Sequence, residues 1–164
     1  MKQSHEASAY RPGAAILLLN ARREAFVAQR IDNPGPAWQM PQGGLDKGED
    51  PRSGALRELW EETSITAERV ALLDEMEDWI TYDLPADLTA KIWKGKYRGQ
   101  RQKWFCGVFL GSDSEVNLET EHPEFSAWKW VPVQETVELI IPFKRDLYRE
   151  VIARFEPHWR ERLV

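Results

Sequence analysis

Three glutamates near the middle of the chain, Glu58, Glu61 and Glu62, have the type and spacing that could hold a cation. On a helix, at about 100° per residue, they fall within one sector of roughly 100°. Like charges at this spacing destabilise an exposed helix by roughly 0.2–0.5 kcal/mol per pair. They also lie toward the C-terminal end of their segment, where the helix dipole disfavours anions. Such a cluster needs a positive partner, and a metal ion could be that partner.

All three candidate ligands offer only carboxylate oxygens, which suit Mg²⁺ or Mn²⁺ better than zinc. Cys106 is the single cysteine, so the chain has no internal disulfide and no zinc site built from cysteines. The alternative interpretation is a solvated acidic helix face with Arg57 as its local partner. A pair of glutamates alone favours that alternative, whereas the whole pattern over residues 49–62 favours the metal site.

The residues around the glutamates predict one amphipathic helix. Asp50 is a candidate N-cap, and Pro51 suits the first helical position. The helix should end near residues 63–64. Apolar residues at helical spacing give it a stripe that faces the core: Ala55, Leu56, Leu59 and Trp60.

Short apolar runs on either side of this helix predict strands. Residues 14–19 and 25–30 are typical of a hairpin, and further extended segments are expected at residues 38–44, 68–82, 103–110 and 127–133. A second helix is predicted over residues 143–155 from the spacing of its apolar side chains. Strands interleaved with two substantial helices indicate an α/β or α+β fold in which a sheet is sandwiched between helices.

The chain has 164 residues, enough for one domain. We expect a loose N-terminal tail at residues 1–10 and a single domain over residues 11–164. No apolar run approaches membrane-spanning length, and the N-terminus lacks the order of a secretory signal. The sequence therefore predicts a cytoplasmic protein without a membrane partner.

The net charge of −5 is unevenly distributed. Residues 91–103 contain six basic residues and no acidic one. Trp93 and Tyr97 lie among them and Trp104 follows directly, and aromatic rings beside cations suit stacked bases next to phosphates. A solvated basic face is the alternative interpretation.

Beyond the three glutamates, the pattern of fixed residue types resembles the Nudix box from its glycine to its double glutamate: Gly43, Glu49, Arg57, Glu58, Leu59, Glu61 and Glu62. The resemblance implies a Nudix fold, a mixed β-sheet between helices in which the box forms a loop, a helix and a second loop. It also implies a dependence on Mg²⁺, which Mn²⁺ or another divalent cation could replace.

Roles for the box residues follow from the same resemblance. It implies that Glu58 and Glu62 are the principal metal ligands and that Glu61 is a further ligand or the base. Gly43 would belong to the metal site. A brace between Glu49 and Arg57 would hold the helix in place.

One position departs from the box. The family has glycine where this chain has Ser64. That glycine normally takes a left-handed conformation just past the helix end, which costs a residue with a Cβ about 1 kcal/mol. The departure concerns local stability and leaves the metal ligands intact.

Segments outside the box resemble the bacterial RNA 5′-pyrophosphohydrolase branch of the family, formerly described as dinucleoside polyphosphate hydrolases, among them Trp38-Gln39-Met40-Pro41-Gln42-Gly43-Gly44, Gly99-Gln100-Arg101-Gln102-Lys103-Trp104-Phe105 and Pro142-Phe143-Lys144-Arg145-Asp146. The match extends from Tyr10 to Phe155. It implies removal of pyrophosphate from the 5′-triphosphate end of RNA, which initiates RNA decay. The alternatives are a hydrolase of dinucleoside polyphosphates such as diadenosine tetraphosphate, a hydrolase of damaged nucleoside triphosphates, and a catalytically silent RNA-binding module.

Several residues outside the helix are candidates for the substrate site. Phe143 could stack on a base or pack in the core, and Glu124 could be an extra metal ligand or base or simply a turn carboxylate. Charge-assisted contacts to phosphate oxygens are expected from Arg11, Arg30, Lys103 and Lys144. The expected partner is 5′-triphosphorylated RNA or a nucleotide polyphosphate. We expect the protein to be a monomer and not to bind DNA.

Overall fold

The structure is a computed structural model that describes residues 9–32, 36–89 and 91–160. The tail expected at residues 1–10 falls mostly on residues 1–8, which lie outside the described residues. Tyr10, at its end, is already the first residue of a strand.

Within the described residues, seven strands form one sheet. They are β1 (Tyr10–Leu19), β2 (Ala25–Arg30), β3 (Gln42–Gly44), β4 (Val70–Glu75), β5 (Ile80–Asp83), β6 (Gly99–Phe109) and β7 (Phe125–Val131). The main order is β4-β6-β1-β2-β7, with β3 paired to β1 and β5 paired to β6. The sheet is mixed because β1 and β6 run parallel while the other pairs are antiparallel.

Helices cover both faces of this sheet. They are α1 (Pro51–Thr63), α2 (Ala86–Thr89), α3 (Glu135–Leu139) and α4 (Arg145–Arg160). The predicted α+β fold, with a mixed sheet between helices, is confirmed. Among the described helices, none combines the length and the apolar character needed to cross a membrane.

Strand β1 divides the core into two layers because its side chains alternate between the two faces. Leu17 and Leu19 pack in one cluster with Val151 and Phe155 of α4. The side chains on the opposite face of β1 pack in the other cluster with Ala55 and Leu59 of α1: Ala14, Ile16 and Leu18. One sheet therefore positions both helices, which supports our inference of a single domain.

The predicted hairpin of β1 and β2 is opened by a third segment. The two strands pair in register at Leu19 and Ala25, but residues 39–44 then lie between them. Ile16 N donates a hydrogen bond to Pro41 O over 3.1 Å, and Ala28 N donates to Gln39 O over 2.8 Å. This insertion brings the two glycines before α1 against β1.

Helix α1 has the ends that the sequence predicts. The Asp50 side chain caps it by accepting a hydrogen bond from Ser53 N over 3.0 Å, and the helix ends at Thr63. Ser64 adopts the left-handed conformation with φ of 69°. Its hydroxyl donates a hydrogen bond to Asn117 O over 2.8 Å, a contact that offsets the cost of a Cβ at this position.

We expect Ser64→Ala to lower the free energy of unfolding by about 1 kcal/mol, because it keeps the left-handed strain and loses the bond to Asn117. Ser64→Gly loses the same bond but relieves the strain, so its stability should stay within about 0.5 kcal/mol of the parent chain. Urea denaturation of the three proteins measures both differences. An alanine variant as stable as the glycine variant would show that the left-handed backbone costs nothing here.

Candidate active site

Seven of the predicted site residues line one cleft of about 580 Å³: Arg11, Arg30, Gly43, Glu58, Glu124, Phe143 and Lys144. They come from β1, β2, β3, α1, the loop before β7 and the 3₁₀ turn Pro142–Lys144 that precedes α4. Acidic and basic side chains thus meet in one cavity. Such an arrangement suits a polyanion that binds together with a cation.

Glu58 is positioned by a close approach of backbone to carboxylate. A Cβ placed on Gly43 would overlap the Glu58 carboxyl group, so only glycine leaves the space that this side chain occupies. The Glu58 side chain is 13% exposed. Burial raises its pKa to about 7, the charges of Glu61 and Glu124 act in the same direction, and the Arg57 guanidinium opposes them.

Glu62 is buried, with 2% of its surface exposed. No group among the described residues donates a hydrogen bond to either of its carboxylate oxygens. Burial, followed by the neighbouring carboxyls of Glu124 and Glu58, raises its pKa well above the usual range. A buried carboxylate without a donor is costly, because desolvation of the charge is not compensated.

These carboxylates fit a divalent cation. Among the described residues, no group of three or more Asp, Glu, His or Cys side chains lies close enough together to coordinate a metal ion as it stands. Glu62 nevertheless interacts with both Glu58 and Glu124, and its two unpaired oxygens are the ligand type that a hard cation takes. Mutually repelling carboxylates are expected to stand apart until a cation neutralises them.

Arg57 connects the acidic residues of α1 to the preceding loop. Its Nε and Nη2 donate to the two carboxylate oxygens of Glu49 over 2.7 and 2.9 Å. Nη2 also donates to Gly44 O over 3.0 Å, and Nη1 donates to Glu58 and Glu61, each over 3.0 Å. One guanidinium therefore joins the end of β3, the loop before α1 and two of the predicted metal ligands.

Glu61 occupies a different position from Glu58 and Glu62. Its side chain is 47% exposed and bonds to Arg57, whereas Glu62 is buried and Glu58 lines the cleft. The sequence left Glu61 as a further ligand or the base. The structure instead places Glu124, from a distant loop, beside Glu62.

Arg57→Lys should lower the free energy of unfolding by about 1–3 kcal/mol, because a lysine cannot reproduce a planar fork that bonds several partners at once. The loss of turnover should exceed what the fraction unfolded explains, since Glu58 loses its partner. Arg69→Lys is the matched control. Arg69 forms an exposed pair with Glu115 at 2.9 Å, so its replacement should cost less than about 0.5 kcal/mol. Thermal denaturation and kcat measured together test this, and equal effects of the two variants would contradict it.

The cations of the cleft are held by different neighbours. Arg30 donates to both carboxylate oxygens of Asp32 over 2.8 and 2.7 Å. The Arg11 guanidinium lies 5.1 Å from the centre of the Trp93 ring. The Lys144 ammonium lies 5.0 Å from the centre of the Tyr82 ring, and burial, with the nearby charge of Arg30, lowers its pKa to about 8.

Lys103 is the predicted substrate residue that the structure does not bring to this cleft. Its ammonium donates to Glu77 O over 2.7 Å, and it lines a separate depression beside Asp50 and Arg52. The physical reason is strand alternation in β6: Lys103 points to the face of the sheet opposite Gln102 and Trp104. The basic stretch at residues 91–103 is therefore divided: Ile92, Trp93 and Gln100 line the cleft, whereas its six basic residues do not.

Trp93, which the sequence suggested for base stacking, lines the cleft, but sequence reasoning missed other cleft residues: Gln42, Tyr82 and Gln100. Gln100 is 1% exposed and Gln102 is 1% exposed, which is unusual for polar side chains. The signal in the sequence that could have identified them is the glutamine repeated at alternate positions of one strand. A period of two places Gln100 and Gln102 on the same face as Trp104.

A family model described as the NUDIX domain matches residues 9–155 of the chain. A protein of Roseobacter denitrificans named RNA pyrophosphohydrolase is 58% identical over 149 residues, covering 91% of this chain and 93% of that protein. A protein of Rhodospirillum rubrum with the same name is 53% identical over 144 residues, covering 88% of this chain and 86% of its own.

Solved structures show the same fold at low identity. The dihydroneopterin triphosphate pyrophosphohydrolase of E. coli has a TM-score of 0.66 at 20% identity, covering 89% of this chain and 99% of its own. An Ap4A hydrolase of C. elegans, solved as a binary complex, has a TM-score of 0.62 at 22% identity, covering 88% and 98%. From the family model and from relatives that are more than half identical over most of its length, the chain belongs to the NUDIX domain family.

Proposed function

We propose that this chain is an RNA pyrophosphohydrolase that acts on the 5′-triphosphate end of RNA with Mg²⁺. It is a hydrolase of phosphoanhydride bonds, and Nudix hydrolases generally need divalent cations. Water adds to phosphorus as one P–O–P bridge breaks. Pyrophosphate leaves, and the RNA keeps a 5′-monophosphate.

One observation carries the proposal: a single cleft combines the carboxylates that suit a divalent cation with three cations that suit a phosphate chain. Glu58 and Glu124 line the cleft together with Arg11, Arg30 and Lys144. Glu62 lies buried beside them with both carboxylate oxygens unpaired. A catalytically silent binding module would gain nothing from this repulsive set of acids.

In this proposal Glu58 and Glu62 would hold Mg²⁺, with Glu124 beside them, and the cation would neutralise charge on the phosphate chain. Gly43 has no side chain, so only its carbonyl oxygen could take part, and its main effect is to leave room for Glu58. Mn²⁺ offers the same preference for oxygen ligands and should substitute.

We assign the orientation and deprotonation of the attacking water to Glu124 rather than Glu61. Glu124 lines the cleft, whereas Glu61 is engaged with Arg57 over 3.0 Å. A base must reach the proton that it removes, so position within the cleft decides between them. Glu49 and Arg57 then act as the brace, supported by their two mutual hydrogen bonds.

The cations and rings of the cleft suit the 5′ end of an RNA strand. Arg11, Arg30 and Lys144 give a fixed positive field for the phosphates. Phe143 and Trp93 both line the cleft, and an unpaired base can stack on either ring. A flexible single strand could place its first nucleotides there, whereas a duplexed end would reach the cleft poorly.

The test compares kcat/KM for a short 5′-triphosphorylated oligoribonucleotide, diadenosine tetraphosphate and ATP at one Mg²⁺ and salt concentration. We expect the RNA to be cleaved most efficiently, with stoichiometric release of pyrophosphate. The same oligonucleotide with a 5′-monophosphate is the matched control and should release nothing. More efficient cleavage of the dinucleotide or ATP would replace the RNA assignment with a (di)nucleoside polyphosphate hydrolase.

We also propose a cellular location and an oligomeric state for the protein. A cytoplasmic monomer without DNA or membrane partners agrees with an enzyme that acts on single RNA ends. These expectations remain predictions, which sedimentation of the purified chain and fractionation of cells would test.

A further inference from the structure

Buried polar side chains link the core to the floor of the cleft. The Trp104 indole, 1% exposed, donates from Nε1 to Gln102 Oε1 over 2.9 Å. An indole nitrogen can only donate, so the oxygen of the Gln102 amide must face Trp104. This contact fixes which way round the Gln102 amide lies.

The fixed orientation passes to two further amides. Gln102 Nε2 donates to Gln42 Oε1 and to Gln100 Oε1, each over 2.8 Å. These two bonds use both of its N–H groups. The Tyr82 hydroxyl also donates to Gln100 Oε1, over 3.0 Å. Gln42 and Gln100 therefore both direct their carbonyl oxygens toward Gln102 and leave their NH₂ groups on the other side.

Both of these glutamines line the cleft. No hydrogen bond within the described ranges occupies Nε2 of Gln42 or of Gln100. Gly13 makes room for the Gln100 amide, since a Cβ there would overlap Gln100 Nε2. The floor of the cleft thus presents uncharged N–H donors, beside the cations Arg11, Arg30 and Lys144.

We propose that Gln42 and Gln100 form a neutral donor subsite for non-bridging phosphate oxygens of the bound polyphosphate, with Trp104 and Gln102 as positioning residues that fix its polarity. The proposal rests on polyphosphate binding in the proposed function, but not on the preference for RNA. Phosphate oxygens are pure acceptors, so a floor of donors suits them whichever nucleotide follows. Nucleobases mix donors with acceptors and would gain less from it.

Gln102→Glu tests the polarity without changing a residue of the cleft. A carboxylate still accepts from Trp104 but cannot donate, so Gln42 and Gln100 should turn their N–H groups inward and their oxygens toward the ligand. Gln100→Met removes one donor directly at similar volume. Gln134→Met, at an exposed position just before α3 and outside the cleft, is the matched control.

The probe is a methylene-bridged ATP analogue, titrated calorimetrically with Mg²⁺, alongside AMP as the single-phosphate comparison. We expect Gln102→Glu and Gln100→Met each to weaken binding of the analogue by about tenfold or more. AMP should lose at most about threefold, because it has fewer phosphate oxygens to contact. In steady-state kinetics both variants should raise KM more than they lower kcat, because the lost interaction is present in both the ground state and the transition state.

Unchanged affinity for the analogue in Gln100→Met overturns the proposal, as does an equal loss for the analogue and AMP, which would indicate a general packing role. If Gln102→Glu does not fold, Gln100→Met decides alone. The outcome is separate from that of the substrate comparison: analogue binding can fall tenfold in a protein that prefers ATP to RNA. In that case the RNA assignment fails and the donor subsite stands.

Discussion

Glu62→Gln should reduce kcat by roughly 10²–10³-fold, since cation-assisted charge stabilisation is worth several kcal/mol and each 1.36 kcal/mol is tenfold. The variant should fold, and without divalent cations it should be at least as stable as the parent chain. The reason is that Glu62 is 2% exposed, lies beside Glu58 and Glu124, and receives no hydrogen bond from the described residues. Replacing this carboxylate with a neutral amide removes an uncompensated buried charge.

The measurement is thermal denaturation with and without Mg²⁺, combined with steady-state kinetics. Added Mg²⁺ should raise the Tm of the parent chain and raise that of Glu62→Gln much less. A variant that is unfolded, or one with nearly full activity, would remove the metal-ligand role from Glu62.

Glu61→Gln is the matched control for this experiment. It changes the neighbouring residue from carboxylate to amide, but at a side chain that is 47% exposed and bonded to Arg57. Its effect on kcat should be several-fold at most. If Glu61→Gln is as inactive as Glu62→Gln, Glu61 is a metal ligand or the base, and the minor role that we give it fails.

The second large effect is expected from Gly43→Ala. The added Cβ would overlap the Glu58 carboxyl group, so Glu58 must move away from the position that the cleft gives it. A displacement of about 1 Å at a catalytic group can cost roughly 10²-fold in rate. We expect the loss mainly in kcat, with a modest change in Tm, because a side chain rather than backbone gives way.

Gly44→Ala provides the comparison, because the neighbouring glycine approaches a different group. Its Cβ would overlap the Arg11 guanidinium, the far end of a flexible side chain that contacts phosphate in our proposal. Gly44→Ala should therefore raise KM more than it lowers kcat. If both variants alter kcat and KM alike, the two glycines serve only the backbone pairing of β3 with β1.

Helix α1 was predictable from the sequence because its determinants are local. The Asp50 cap, the proline at the first turn and the left-handed Ser64 all depend on neighbours within a few residues. The spacing of Glu58, Glu61 and Glu62 likewise depends only on the helical repeat. A carboxylate-rich helix that suits a divalent cation, and with it the family resemblance, could therefore be derived without a structure.

Strand boundaries followed less well from sequence. Residues 68–82 were expected to be extended throughout, yet β4 ends at Glu75 and β5 begins at Ile80. Strand β6 begins at Gly99, earlier than the predicted residue 103. Its first residues pair with β1 and β5, and pairing partners distant in sequence decide where a strand starts.

Tertiary structure decided which residues lie in the site and which role each of them can take. Local spacing alone does not distinguish Glu61 from Glu62. In the folded chain, however, packing buries Glu62 and leaves Glu61 bonded to Arg57. The pleat of β6 turns Lys103 away from the cleft that the same segment supplies with Gln100. Glu124 reaches Glu62 only because β7 pairs with β2 and delivers its preceding loop there.

What the sequence by itself determined is thus the chemistry of α1, since helical repeat and caps are properties of adjacent residues. What only the tertiary structure decided is which cations, amides and carboxylates join that helix in one cleft. The floor of that cleft depends on a hydrogen-bond chain from Trp104 to Gln42. That chain joins Trp104 and Gln102 of β6 to Gln42 of β3, and no spacing along the sequence encodes a contact between two strands so far apart.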